Sequence, residues 1–344
     1  MLTREVIVPA LPIIDLEGFP LDAAKRDGIA GALDRAFREY GFCVVTGHAV
    51  PVDVRKQAFA ASRAFHALPD DEKRAIAVNE FHRGYIAPKT SKIVTSSVDK
   101  VTKPNLSESF MMMHPVDAGD PRFGTPLQGP NQWPMTLQDF RSAVENYYKA
   151  LDTAARHLTQ LLARALGQPD DSFDRFFEHP TVYLRLLHYP PIPQGAEADL
   201  YGSAPHTDYG FMTLLAQDDI GGLQVRATES QGGGWIDVPY VPDSFVVNVA
   251  DLLSHWSGGR WPSTPHRVLN NRSGKDRYSI PFFFDMSMET VVEPLHAYAP
   301  GVKPIAGPKD KPGPVCYGDY VMERFNRNYS YRGGAGDREE LAGQ

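Results

Sequence analysis

From residue 181 onward the chain is written in short pieces: "TVYLRLLHYP", "HTDYGFMTLLAQ", "GLQVRA", "WIDVP", "SFVVNVADLL", "PHRVLNN" and "RYSIPFFFD". Each is apolar, β-branched or aromatic, and Gly, Pro, Asn or Asp separate them. Such residues fit a pleated, half-buried surface, while the punctuation residues set turns. Seven short strands in succession restrict this half of the chain to a β-sandwich, a jelly roll or a barrel.

The half before it is different. "TLQDFRSAVENYYKALDTAARHLTQLLARALG" (136–167) keeps apolar residues at helical spacing and stops at Gly167 before Pro169, which predicts a scaffold helix packed on the sheet. A helical pattern also covers about residues 20 to 75, interrupted by the strand-like "GFCVVTGHAV". Residues 82–135 read as irregular around "SESFMMMHP", with "APKTSKIVTSS" (87–97) as a solvated loop, and 332–344 as a flexible tail. The fold class is therefore α+β with a mainly β core.

Composition excludes several functions. A net charge of −7 offers no basic excess for a phosphate backbone, so nucleic acid is not an expected partner. The two cysteines, Cys43 and Cys316, sit among apolar or aromatic residues and suggest a reduced, cytoplasmic setting. No run of 18 apolar residues occurs, and "MLTREVIVPALPIIDL" interrupts any signal-like apolar core with an acid and two prolines, so no membrane association is expected.

Within this frame "APHTDYGFMTLL" (204–215) carries an imidazole and a carboxylate two positions apart. Along a strand, residues i and i+2 share a face with Cα atoms about 6.5 Å apart, so His206 and Asp208 can converge on one cation. His266, in "STPHRVLNN", begins a later strand and is a natural third ligand. Two histidines and one carboxylate leave coordination positions open, the pattern of non-haem Fe(II) oxygenases.

The segment "HRVLNNRSGKDRYSI" reads as a hairpin turning near Asn271 to Lys275, which would put Arg277 close to opposite His266. Arg277 and Ser279 are again i and i+2. A guanidinium fork and a hydroxyl on one face suit the far carboxylate of a short dicarboxylate whose near end reaches the metal.

These phrases, with "LPIIDL" (11–16), "YGFCVVTGHAVP" (40–51), "FHALPDDEK" (65–73) and "NVADLLSHWSGGRWPSTPHRV", resemble in order and content the isopenicillin N synthase-like 2-oxoglutarate/Fe(II)-dependent dioxygenases over about residues 10 to 330. The resemblance implies a double-stranded β-helix (jelly roll) core at 180–330, flanked by an N-terminal region (10–120) with substrate-covering loops and by the scaffold helix, all as one catalytic unit (1–344). It implies Fe(II) on His206, Asp208 and His266, and 2-oxoglutarate as cosubstrate on Arg277, Ser279 and Tyr189. O2 would be the oxidant, and a small organic substrate would be hydroxylated, desaturated or cyclised with release of succinate and CO2. Many plant members carry asparagine two positions before that tyrosine, where this chain has Leu187. Phe110, Met111 and Met113 fall where family members build substrate pockets. Rival readings are a 2-oxoglutarate-independent or ethylene-forming oxidase of the same fold, a non-catalytic jelly-roll binding protein and, third, a zinc hydrolase.

Overall fold

The computed structural model describes residues 10–17, 22–96, 98, 101, 103–192, 200–295 and 313–332; of the tail expected at 332–344, only Arg332 falls within them. In chain order the elements are β1 (Ile13–Asp15), α1 (Ala23–Tyr40), β2 (Phe42–Thr46), α2 (Val52–His66), α3 (Asp70–Arg74), β3 (Gly84–Ile86), β4 (Glu108–Met113), α4 (Phe140–Ala165), β5 (Thr181–Tyr189), β6 (Ser203–His206), β7 (Met212–Gln217), β8 (Leu223–Arg226), β9 (Trp235–Asp237), β10 (Phe245–Val249), α5 (Asp251–Trp256), β11 (His266–Val268), β12 (Arg277–Asp285), β13 (Val291–Val292), β14 (Val315–Cys316) and α6 (Tyr317–Asn328). A major sheet runs β1-β2-β10-β7-β12-β5-β4-β3, and a minor sheet runs β6-β11-β8-β9. This is the double-stranded β-helix with added strands and helices.

The helix at 136–167 forms over Phe140–Ala165 and buries Val144, Tyr147, Leu151, Leu158 and Leu162, a stripe at spacings of three, four and seven. Leu166 caps it, and Gly167 follows at φ 74°. Its partner α1 starts on Asp22, whose side chain accepts from Lys25 N–H, and ends at Gly41 with φ 66°. Behind the major sheet, Tyr148 of α4 meets Phe282 of β12 edge-on, and Phe282 and Leu184 are fully buried. Each such side chain contributes about 2–3 kcal/mol of burial, so this layer holds the sheet rigid beneath the opposite face.

Three local expectations are corrected by the packing. β11 and β12 do not form a hairpin: β11 pairs with β6 and β8, whereas β12 pairs with β5 and β7, so Arg277 lies opposite Tyr189 and not His266. The turn between them does not close a ladder because Asn271 Nδ2 donates to the carbonyls of Tyr189 and Lys275, sending the chain across to the other sheet. "APHTDYGFMTLL" is likewise two strands, β6 ending at His206 and β7 starting at Met212 in the opposite sheet. Residues 87–96 are a solvated loop only in part: Pro88, Lys89 and Val94 are exposed. Lys92 N–H donates to the Asn328 carbonyl and Val94 N–H to its side chain, and Ser91 and Ile93 are buried against the end of α6.

Candidate metal centre

His206 and His266 are direct cross-strand partners in the minor sheet, with ring centroids 4.3 Å apart. Their Nδ1–H groups donate to backbone carbonyls, His206 to Ala204 at 2.7 Å and His266 to Thr264 at 3.3 Å. A carbonyl only accepts, so the proton belongs on Nδ1 and each Nε2 lone pair is free to ligate. Asp208 sits just past β6 in the crossing to the major sheet. Its Oδ1 lies 3.8 Å from His206 Nε2 and 3.7 Å from His266 Nε2.

The other carboxylate oxygen is taken by the major sheet: Thr213 Oγ1 of β7 donates at 2.6 Å and Asn248 Nδ2 of β10 at 2.9 Å. The crossing is tight at Gly210, where a Cβ would collide with the Asp285 carboxylate, itself bonded by Phe211 N–H at 2.7 Å. Burial pushes the Asp208 carboxyl upward, but the two imidazoles and the Thr213 and Asn248 hydrogen bonds outweigh it and hold the group below the ordinary carboxylate range. Burial, with His266 adding, lowers His206 to about 4. The site thus brings together two imidazoles and one carboxylate, with one donor atom of each within 4.8 Å of the others. Such a mixed N/O donor set fits a divalent transition metal and leaves one side open.

Beside it lies a cavity that also takes in Tyr189, Arg277 and Ser279. The Arg277 side chain is 1% exposed, with its Cζ 4.6 Å over the Tyr189 ring. Nη2 donates to Gln217 Oε1 at 3.3 Å, while Nε and Nη1 have no partner. Buried guanidinium N–H groups left unpaired cost of order 1–3 kcal/mol or more, so the cavity is built to receive an acceptor pair. Ser279 Oγ lies 3.5 Å from Tyr189 Oη, and Leu187 gives this end an apolar wall.

A second cavity adjoins the first at His206 and Asp208 and runs toward α6, between Met111, Phe283, Phe325 and Tyr329. Of the three β4 residues expected here, Met111 lines it. Phe110 does not, because alternate residues of a strand face opposite ways: its ring packs 5.2 Å from Phe65 and 4.9 Å from Phe140, on the helix side. Met113 is buried further along the strand and borders neither cavity. His188, next to Tyr189, turns to the helix side and bonds Glu108 at 2.8 Å and Asp276 at 2.9 Å.

Residues that sequence reasoning missed include Thr213, Asn248 and Arg185. The first two carry no local signal, since only the sheet order brings β7 and β10 beside Asp208. Arg185 does have one: in "LRLLHY" it stands four residues before Tyr189, hence on the same face of β5.

The chain matches the 2OG-Fe(II) oxygenase superfamily over residues 180–286, and over residues 11–136 a family described as non-haem dioxygenase in morphine synthesis N-terminal. It is 34% identical to the 2-oxoglutarate-Fe(II) type oxidoreductase hxnY of Emericella nidulans, covering 93% of this chain and 90% of that protein. With a homoarginine-6-hydroxylase of Oryza sativa it shares 33% identity, covering 93% and 98%. Among solved structures it is similar to a Neurospora crassa protein in complex with alpha-KG and thymine, at TM-score 0.76 and 27% identity over 91% of this chain and 96% of that one. JOX2, solved with 2OG, Fe and JA, aligns at TM-score 0.72 and 27% identity over 92% and 85%.

Proposed function

Because the chain belongs to the 2OG-Fe(II) oxygenase superfamily, we propose that His206, Asp208 and His266 hold its Fe(II) and that Arg277, Ser279 and Tyr189 hold its 2-oxoglutarate. The protein is a non-haem Fe(II)- and 2-oxoglutarate-dependent oxygenase that uses O2 to oxidise a small organic molecule, releasing succinate and CO2. The observation that carries the residue assignment is the convergence of three donor atoms within 4.8 Å beside a cavity walled by a buried guanidinium with two unpaired nitrogens.

Bound at the triad, Fe(II) supplies the redox chemistry with O2 that no side chain provides. This chain's residues bind, orient and exclude. Ala204 and Thr264 carbonyls fix the two imidazole tautomers, and Thr213 and Asn248 hold one Asp208 oxygen so that the other faces the histidines. Arg277 offers two N–H groups to the distal carboxylate of 2-oxoglutarate, Ser279 a third donor, and the Tyr189 ring packs against the guanidinium. Leu187, lacking an amide, adds packing alone on that side. Met111, Phe283 and Phe325 make the substrate cavity apolar and keep water from the reacting centre.

In this reading the whole chain is one catalytic unit, with helices and β4 walling the jelly-roll core. The partner is a small molecule and not nucleic acid, in keeping with the charge of −7. No helix among the described residues is long and apolar enough to cross a membrane, and both cysteines are unpaired, which supports a cytoplasmic setting. Succinate measured under O2 with Fe(II), with and without candidate substrates, tests the cosubstrate: succinate that depends on Arg277 is expected, and no succinate under any condition would sink the assignment.

A further inference from the structure

The inward face of β5 reads Tyr183, Arg185, Leu187, Tyr189 at alternate positions. Tyr183 borders only the cavity under α6, Leu187 and Tyr189 only the cavity of Arg277, and Arg185 borders both, at the metal triad. Its Nε donates to Ser109 Oγ of β4 at 2.8 Å, which fixes the side chain by its base. No carboxylate among the described residues lies within ion-pair distance of it, and no hydrogen bond engages its two terminal nitrogens. Of the other acids bordering the cavity, Asp208 belongs to the triad, and Asp285 is taken up by Phe211 N–H and the Tyr317 hydroxyl at 2.9 Å.

Arg185 cannot share the carboxylate of Arg277. Arg277 is in register with Tyr189, four residues along β5 from Arg185, a separation of about 13 Å. Charge matching leads the same way. A divalent cation and Arg277 are balanced by Asp208 and the two carboxylates of 2-oxoglutarate, and Asp285 is engaged by Phe211 N–H and the Tyr317 hydroxyl, so no carboxylate bordering the cavity is bonded to the half-buried Arg185 guanidinium. A carboxylate is the natural complement to a free guanidinium fork.

Resting on the site assignment above, we propose that Arg185 is the substrate-anchoring residue and that the substrate is a monoanionic carboxylic acid, its carboxylate on Arg185 and its apolar body against Met111, Phe283 and Phe325. The carboxylate is held beside the triad, so oxidation falls on a carbon a few bonds from the acid group. A neutral or cationic substrate would leave the guanidinium fork without an anionic partner.

The test is equilibrium binding, without turnover. A panel of aryl- and alkyl-alkanoic acids, each paired with its primary amide (3-phenylpropanoate with 3-phenylpropanamide, and longer and shorter homologues), is titrated calorimetrically into the full chain, both bare and loaded anaerobically with Fe(II) and 2-oxoglutarate. At least one acid is expected to bind ten-fold or more tighter than its amide. Arg185→Met should erase that preference while leaving amide binding and 2-oxoglutarate affinity within three-fold, and Arg185→Lys should restore part of it. Circular dichroism and melting temperature establish that each variant is folded. The proposal is overturned if no acid outbinds its amide, if the preference survives Arg185→Met, or if Arg185→Met weakens 2-oxoglutarate instead, which would assign the guanidinium to the cosubstrate's near carboxylate. Loss of Fe(II) binding with the preference intact in the bare protein would sink the metal assignment alone. Normal Fe(II) and 2-oxoglutarate binding without the preference would sink this inference alone.

Discussion

His206 and His266 face each other across one sheet, yet the carboxylate between them, Asp208, is held by Thr213 and Asn248 from the other. The candidate metal centre is therefore a clasp between the two halves of the jelly roll, and its geometry depends on both.

Releasing one side of the clasp should loosen the metal without unfolding the chain. Asn248→Leu removes the donor at 2.9 Å from Asp208 and leaves Thr213 in place. Loss of such supporting partners costs about 10–100-fold in metal affinity. Fe(II) titration of Asn248→Leu should show a weakening in that range with an unchanged melting temperature; unaltered affinity would mean that Asn248 does not orient the ligand.

Arg277 is the group whose loss should be felt by 2-oxoglutarate alone. Two charge-assisted hydrogen bonds at about 1.5 kcal/mol each correspond to about 100-fold in affinity. Arg277→Leu should raise the 2-oxoglutarate KM by about that factor and leave Fe(II) binding intact. Equal weakening of both would point to a general collapse of the cavity.

Gly210 carries a steric prediction. A Cβ there would meet the Asp285 carboxylate, so Gly210→Ala must push β7 and β12 apart at the metal crossing. Overpacking of this kind costs about 1–3 kcal/mol. Denaturant unfolding should show a midpoint lowered accordingly, and a midpoint equal to wild type would mean that the crossing has slack.

On the helix side of the major sheet, Glu108 accepts from Lys73 Nζ at 2.9 Å, the Tyr85 hydroxyl at 2.5 Å and His188 at 2.8 Å. Burial pushes its carboxyl up, but His188, Tyr85 and Lys73 together bring it down to about 2. A carboxylate depressed in the folded state adds stability that is full above its unfolded pKa, near 4.5, and is lost as pH falls through about 2. Urea midpoints should decline across that window. Glu108→Gln should lower stability by about 3 kcal/mol at neutral pH, the usual cost of removing one partner of a buried ion pair. It should also flatten the acid limb, and a wild-type acid limb in Glu108→Gln would assign the acid sensitivity elsewhere.

Much of this was legible from residue order because period and punctuation are local. The stripe of α4 and the strands after residue 181 follow from what neighbours a few residues apart must do. What failed was what two sheets decide together. "HRVLNNRSGKDRYSI" has the composition of a hairpin turn, but Asn271 spends its amide on Tyr189 and Lys275, so its arms part into different sheets. The ligand pair looked like one strand face, and the chain instead changes sheets between His206 and Met212. Phe110 and Met111 were read together, though consecutive strand residues cannot wall one cavity. Arg185 went unread because a lone arginine in an apolar strand carries no motif until the cavities on either side of it are seen.

The measurement that bears most directly on the central assignment is anomalous X-ray diffraction at the iron edge from crystals loaded anaerobically with Fe(II) and 2-oxoglutarate. The account predicts a single iron peak between His206 Nε2, His266 Nε2 and Asp208 Oδ1, with the distal carboxylate of 2-oxoglutarate on Arg277, and no iron in crystals of His266→Ala. Iron bound elsewhere, iron retained by His266→Ala, or 2-oxoglutarate turned away from Arg277 would contradict it.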